Sequence, residues 1–105
     1  MEYKLTNSRD EEYVFEGRLL DSTLFYPTTG REGKEMVIRI YRTADAHYML
    51  EKREVENLRV TDTVIFRTAS QKQLTQRLAY FTEAEECKQQ YIEKIQRLIG
   101  KNLVL

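Results

Sequence analysis

Six side chains that could bind a ligand or take part in catalysis are predicted to share one face of a sheet. Strand-like runs of the sequence carry arginines, a tyrosine, the single histidine and a methionine at alternating positions. These candidate binding residues are Arg18, Arg39, Tyr41, His47, Met49 and Arg67. Arginine beside tyrosine on an open antiparallel sheet can bind single-stranded nucleic acid, because the ring stacks on a base and the guanidinium pairs with phosphate. Arginine mixed with aromatic and aliphatic side chains is also typical of a protein interface.

The charge balance favours the protein interface over nucleic acid. The chain has 17 basic and 17 acidic residues and a formal net charge of zero, whereas domains dominated by phosphate contacts are usually basic. Glu16 and Glu51 are predicted on the same face, where cross-strand pairing could neutralise Arg18 and Arg39. We therefore expect a protein partner, either a second copy in a homodimer or another protein, with single-stranded nucleic acid as the alternative.

A catalytic or metal site has weaker support. The single cysteine, Cys87, falls on the apolar stripe of a predicted helix, where a thiol usually packs and is inert. His47 lies two residues from Asp45 at a turn, and a general-base or small-ligand site there is the remaining enzyme hypothesis. One histidine and one cysteine cannot complete a structural zinc site. We favour a non-enzymatic protein and expect no catalytic residue, no metal and no cofactor.

Length and composition indicate one folded domain over residues 1–105. The chain is 41% hydrophobic and has only 4 Gly and 1 Pro, which suits a packed core and not extensive disorder. The lone cysteine indicates a reducing compartment. We recognise no signal peptide and no membrane span, so we expect a cytoplasmic protein without membrane contact.

Alternating apolar residues predict the strands that position the candidate residues. The predicted strands are 13–20, 36–42, 47–53 and 60–67, and 3–6 is a candidate edge strand. In the first of the four main strands, Phe15 and Leu19 share one face, and Arg18 lies on the other, which we take to be the face of Arg39. Gly17 inside that strand predicts a bulge or a close backbone approach.

The register of the central hairpin depends on the turn at residues 44–46. A three-residue turn would pair Thr43 with His47. It would place Met49 on the face of Tyr41, which we call the second face, and would leave the more apolar Ile38 side as the first face. A two-residue turn would invert every side chain of the following strand.

After residue 68 the apolar period becomes helical. Ser70 is the predicted cap of a helix over Gln71–Phe81 with Leu74 on its apolar stripe. A capping-box pattern at 82–85 opens a second predicted helix over about 83–99. The expected fold is α+β, an antiparallel meander of four to five strands followed by two C-terminal helices packed on one face. The helices cover the first face only, so a partner is expected on the apolar second face.

Three short motifs resemble the bacterial EXLDI proteins. They are Gly17-Arg18-Leu19-Leu20, Ile40-Tyr41-Arg42-Thr43-Ala44, and the helical pair Leu74 and Leu78. Their order and rough spacing agree over residues 13–99. The chain ends in Leu103-Val104-Leu105 and not in the Glu-x-Leu-Asp-Ile that names the family. The resemblance implies a regulatory or accessory protein of unassigned activity and implies no catalytic residue.

Overall fold

Five antiparallel strands form most of the structure, a computed structural model that describes residues 1–25, 34–81, 93 and 95–97. The strands are β1 (Glu2–Thr6), β2 (Glu12–Phe25), β3 (Lys34–Thr43), β4 (Tyr48–Glu56) and β5 (Arg59–Thr68), and the helix α1 (Gln71–Phe81) follows them. Each strand pairs with the next in the chain, so the sheet order is β1-β2-β3-β4-β5. The predicted antiparallel meander is therefore confirmed.

The turn between β3 and β4 has the predicted three residues. The Thr43 N–H donates to the His47 carbonyl at 2.9 Å, and Tyr41 pairs with Met49. Ala46 takes a left-handed φ of 66°, a conformation that costs an alanine about 1–2 kcal/mol. The Thr43 hydroxyl offsets part of that cost by accepting from the His47 N–H at 2.8 Å. The predicted faces of β3 and β4 are thus confirmed.

β2 belongs to two ladders and bends between them. Its first half pairs with β1, and its ladder with β3 begins at Gly17, opposite Thr43. A Cβ on Gly17 would lie 2.3 Å from the carbonyl oxygen of Arg42, which confirms the predicted close approach. The register then shifts between Leu19 and Asp21, and such a bulge bends a strand. The bend carries the β1–β2 hairpin across the second face of the sheet.

The tip of that hairpin reaches the far edge of the same sheet. The Ser8 N–H donates to the Thr63 carbonyl at 3.0 Å, and the Ser8 hydroxyl accepts from the Thr63 N–H at 2.6 Å. The same hydroxyl donates to Asp62 Oδ1 at 2.7 Å. These bonds join the turn after β1 to β5, so the sheet is curled.

The curl divides the buried apolar residues into two clusters. The cluster on the first face consists of Ile38, Ile40, Tyr48, Leu50, Leu74 and Ile95. The cluster on the second face has Leu5, Tyr41, Met49 and Ile65 at its centre, with Tyr3, Tyr13 and Phe15 packed against it. The second cluster is built by the β1–β2 hairpin, so the chain itself covers part of the second face.

The helix α1 packs against the first face and begins as predicted. The Ser70 hydroxyl accepts from the Gln73 N–H at 3.2 Å, and the Gln73 side chain accepts from the Ala69 N–H at 2.9 Å. Most of the second predicted helix, including Cys87 and the capping box, lies outside the described residues. The loop that Pro27, Gly30 and Gly33 predict after the first main strand also lies outside them. Glu93 and residues 95–97 are helical, and Ile95 is buried in the first cluster. The described part of the chain is therefore mostly β.

Candidate functional site

The structure separates the six candidate binding residues into four places. Arg18 pairs with Arg42, whose guanidinium lies 4.4 Å from the centre of the Tyr48 ring on the first face. Arg18 therefore lies on the first face, away from Arg39, and the predicted faces of this part of β2 are wrong. Leu19 pairs with Tyr41, so the side of β2 that carries Leu19 belongs to the second face.

Tyr41 and Met49 lie in the buried cluster of the second face. Tyr41 is 4% exposed and Met49 is 2% exposed. The Tyr41 ring is 4.8 Å from the Tyr3 ring and 5.4 Å from the Phe15 ring, centre to centre. Burial raises the pKa of the Tyr41 phenol, and the nearby Glu51 carboxylate raises it further. At these exposures neither side chain offers a base or a partner more than a small contact area.

His47 and Arg67 meet at the β3–β4 turn. Arg67 donates to the Asp45 carboxylate, and its Nη2 lies 3.4 Å from His47 Nδ1. The same imidazole nitrogen is 3.0 Å from the Asp45 carbonyl oxygen. The hydrogen bond from the Thr43 hydroxyl lowers the pKa of the Asp45 carboxyl, and Arg67 lowers it further. Asp45 is therefore an ionised anchor for Arg67, and this arrangement fixes the turn.

A groove lies beside this turn. It has a volume of about 430 Å³ and runs between the first half of β2 and the β3–β4 turn, with Met49 and Arg67 also on its wall. Tyr13, Phe15 and several acidic residues also line the groove. Asp45 and Arg67, which contact His47, both line this groove, although His47 itself does not.

Arg39 belongs to an ionic group that is centred on a buried carboxylate. Glu51 is 0% exposed, although it carries a formal charge. Arg53 donates through Nε to Glu51 Oε2 at 3.2 Å, and its Nη2 is 3.1 Å from the same oxygen. Arg39 Nη1 is 3.5 Å from Oε1, which accepts no hydrogen bond from the described groups. Two cations together offset the several kcal/mol that burying a carboxylate costs.

The two guanidinium groups reach the surface while Glu51 stays below it. The side chains of Arg39 and Arg53 are 35% and 37% exposed. Arg39 also donates through Nε to the Ser22 hydroxyl at 3.4 Å. A guanidinium has five N–H donors, and the contacts of Arg39 and Arg53 described above use only some of them. The arrangement can bind a carboxylate or a phosphate of a partner through arginines that are already held in place.

Aliphatic side chains surround the two arginines on the same face. The strand pairing places Leu24 beside Val37, and Val55 beside Val60. Leu24 is 43% exposed and Val60 is 56% exposed, so this end of the second face is partly open. We call it the open end; its residues are Ser22, Leu24, Val37, Arg39, Glu51, Arg53, Val55 and Val60.

Arg53 is the one member of this ionic group that the sequence reasoning did not single out. It lies two residues after Glu51, and the period of two along a strand places both side chains on one face. That spacing is a signal the sequence does contain. The sequence has no such signal for the burial of Glu51, because that burial depends on the neighbouring strands and on the folded hairpin.

Comparison with known proteins gives no relative from which a function could be transferred. No protein-family model matches the chain, and no curated protein or solved structure is significantly similar to it. The resemblance to the EXLDI family therefore stays a prediction. Among the described residues, no helix is long and apolar enough to cross a membrane.

Proposed function

We propose that this chain is a non-enzymatic interaction or accessory module that contacts another protein through the open end of its second sheet face. A second copy of the chain is the partner to test first. The cytoplasm stays its proposed compartment, because the sequence has a single cysteine and hence no internal disulfide.

The observation that supports this proposal is the pair of anchored arginines beside exposed aliphatic side chains. Arg39 and Arg53 are both held by the buried Glu51, so each loses little conformational freedom when a partner binds. Leu24 and Val60 supply apolar surface next to them. Arginine is enriched at the centre of protein interfaces, where apolar contact and a few directed hydrogen bonds occur together.

Nucleic acid has less support at this surface. The two arginines could pair with phosphates, but base stacking needs exposed rings. Tyr41, the aromatic residue predicted for that role, is buried in the second cluster, and its neighbours Tyr3 and Phe15 are partly buried against it. The described part of the open end thus offers charge and aliphatic contact and not a stacking surface.

The test compares two valines that are equally exposed. Val60 is 56% exposed in the open end, and Val14 is 59% exposed on the opposite side of the β1–β2 hairpin. Val60→Lys should raise the dimer dissociation constant roughly tenfold or more, because an ammonium would be buried at the contact among the Arg39 and Arg53 guanidinium groups. Val14→Lys should leave it unchanged. Sedimentation equilibrium measures both constants, and a wild-type monomer at tens of micromolar would contradict the homodimer.

A further inference from the structure

A second surface suits a different kind of contact, since the first half of β2 has an open edge. Gly17 exchanges backbone hydrogen bonds with Met1 on the β1 side, and the Glu16 carbonyl accepts from the Ala44 N–H on the other side. Backbone groups alternate in direction along an antiparallel strand. The N–H and C=O of Val14 and Glu12 therefore point away from β1. No described strand pairs with them there, because the β2–β3 ladder begins at Gly17.

This open edge forms one wall of the groove of about 430 Å³ described above. The edge residues run from 12 to 16, which at about 3.3 Å per residue is a length of roughly 16 Å. The β3–β4 turn and Met49 form the opposite wall. A groove with unpaired backbone donors and acceptors along one wall has the form of a site for an added strand.

On the face of β2 that is turned away from the second cluster, acidic and apolar side chains alternate. Glu12, Val14 and Glu16 all lie on that face, and all three are exposed. In an added strand, the residues directly opposite them would be cross-strand neighbours about 5 Å away. Glu12 Oε1 lies 3.2 Å from Lys4 Nζ and Glu16 Oε2 lies 3.5 Å from the Met1 ammonium; because these ion pairs are exposed and weak, both carboxylates can still attract a basic neighbour.

The same pattern argues against a second copy at this edge. Two β2 edges that paired antiparallel around Val14 would place Glu12 of each copy opposite Glu16 of the other. Like charges directly opposite one another destabilise a strand pair. The edge therefore suits a partner strand that has basic residues opposite Glu12 and Glu16.

We propose that the open edge of β2 at residues 12–16 binds an extended peptide segment of another protein as an added strand. The segment has a basic residue opposite Glu12, an apolar residue opposite Val14 and a basic residue opposite Glu16. This site is separate from the open end of the second face, so Val60→Lys should leave the affinity of the chain for the peptide unchanged.

The experiment uses a fluorescein-labelled peptide of about seven residues, with the central sequence Lys-Thr-Val-Thr-Lys, and the full chain. A matched peptide has Glu in place of both Lys residues. Fluorescence anisotropy in low salt should show binding of the Lys peptide and at least tenfold weaker binding of the Glu peptide. Each charge pair is expected to contribute roughly two- to fivefold.

Two kinds of variant test the geometry. Val14→Pro removes an N–H that points into the groove and leaves the β1 ladder intact, so it should weaken Lys-peptide binding at least tenfold, while Val14→Thr should not. The double variant Glu12→Lys with Glu16→Lys should reverse the preference toward the Glu peptide, and it keeps the test decisive should Val14→Pro fail to fold. Equal binding of both peptides, no binding of either, or an unreversed preference would overturn the proposal.

Discussion

Glu51 shows how one buried residue sets the chemistry of the surface above it. Its carboxylate is 0% exposed and lies between two arginines that are each about one-third exposed. Glu51 contacts both guanidinium groups from the buried side, and their remaining N–H donors are available at the surface. At the scale of the residue, the candidate site is a pair of positioned cations, and Glu51 is the residue that positions them.

We expect this ionic group to depend on all of its members. Replacing Arg39 and Arg53 together by Met should destabilise the fold by about 3 kcal/mol, because the buried Glu51 would lose both cations. This estimate lies at the low end of the range, since water screens both partly exposed arginines. Adding Glu51→Leu should restore most of the loss, because a buried apolar group needs no counter-charge. Urea unfolding measures the three stabilities; a triple variant as unstable as the double would contradict the interpretation.

At the scale of the elements, the phase of β2 decides which of its side chains share the second face with Tyr41 and Arg39. The alternation in β3 and β4 and the three-residue turn could be predicted, because each depends on local spacing. The face of Arg18 could not, because the bulge at Leu20 and the long connection to β3 leave the phase of β2 undetermined. The turn between β4 and β5 could not be predicted in detail either. Asn57 and Leu58 both take positive φ there, and only the asparagine signals such a turn.

The bend in β2 should be sensitive to one methyl group. In Gly17→Ala the new Cβ would approach the Arg42 carbonyl oxygen to 2.3 Å and the Thr43 Cα to 3.0 Å. Both are backbone atoms, so the strands must separate, and we expect a loss of about 2 kcal/mol in the free energy of unfolding. This exceeds the entropic gain of roughly 0.4–1 kcal/mol that alanine usually brings.

Ser22→Ala is the matched control for this substitution. Ser22 is exposed in the same strand, and its loss should change the free energy of unfolding by no more than about 0.5 kcal/mol. Chemical denaturation of the two variants checks the difference. A Gly17→Ala protein as stable as the wild type would show that β2 does not require this close approach.

At the scale of the whole molecule, the curl of the sheet determines how much apolar surface a partner can reach. Apolar residues on both faces of the strands could be read from the sequence. The covering of Tyr41 and Met49 by the β1–β2 hairpin could not, because it depends on contacts between residues more than 50 positions apart, such as Ser8 and Thr63. On the second face of the described residues, a partner can reach the open end and the groove, and the hairpin lines the groove.

The link between Ser8 and Thr63 should therefore control the exposure of the second cluster. Ser8→Ala leaves the buried Thr63 N–H without its acceptor, and we expect a loss of about 1–2 kcal/mol in the free energy of unfolding. Hydrogen exchange should accelerate more at the Thr63 amide than at the amides of β3, because the hairpin is loosened locally in addition to the loss of global stability. Arg9→Ala, a change to an exposed side chain of the same turn, should affect neither quantity. If Ser8→Ala and Arg9→Ala give the same stability and the same exchange rates, apolar contacts hold the hairpin on the sheet, and the Ser8 hydroxyl is not needed for it.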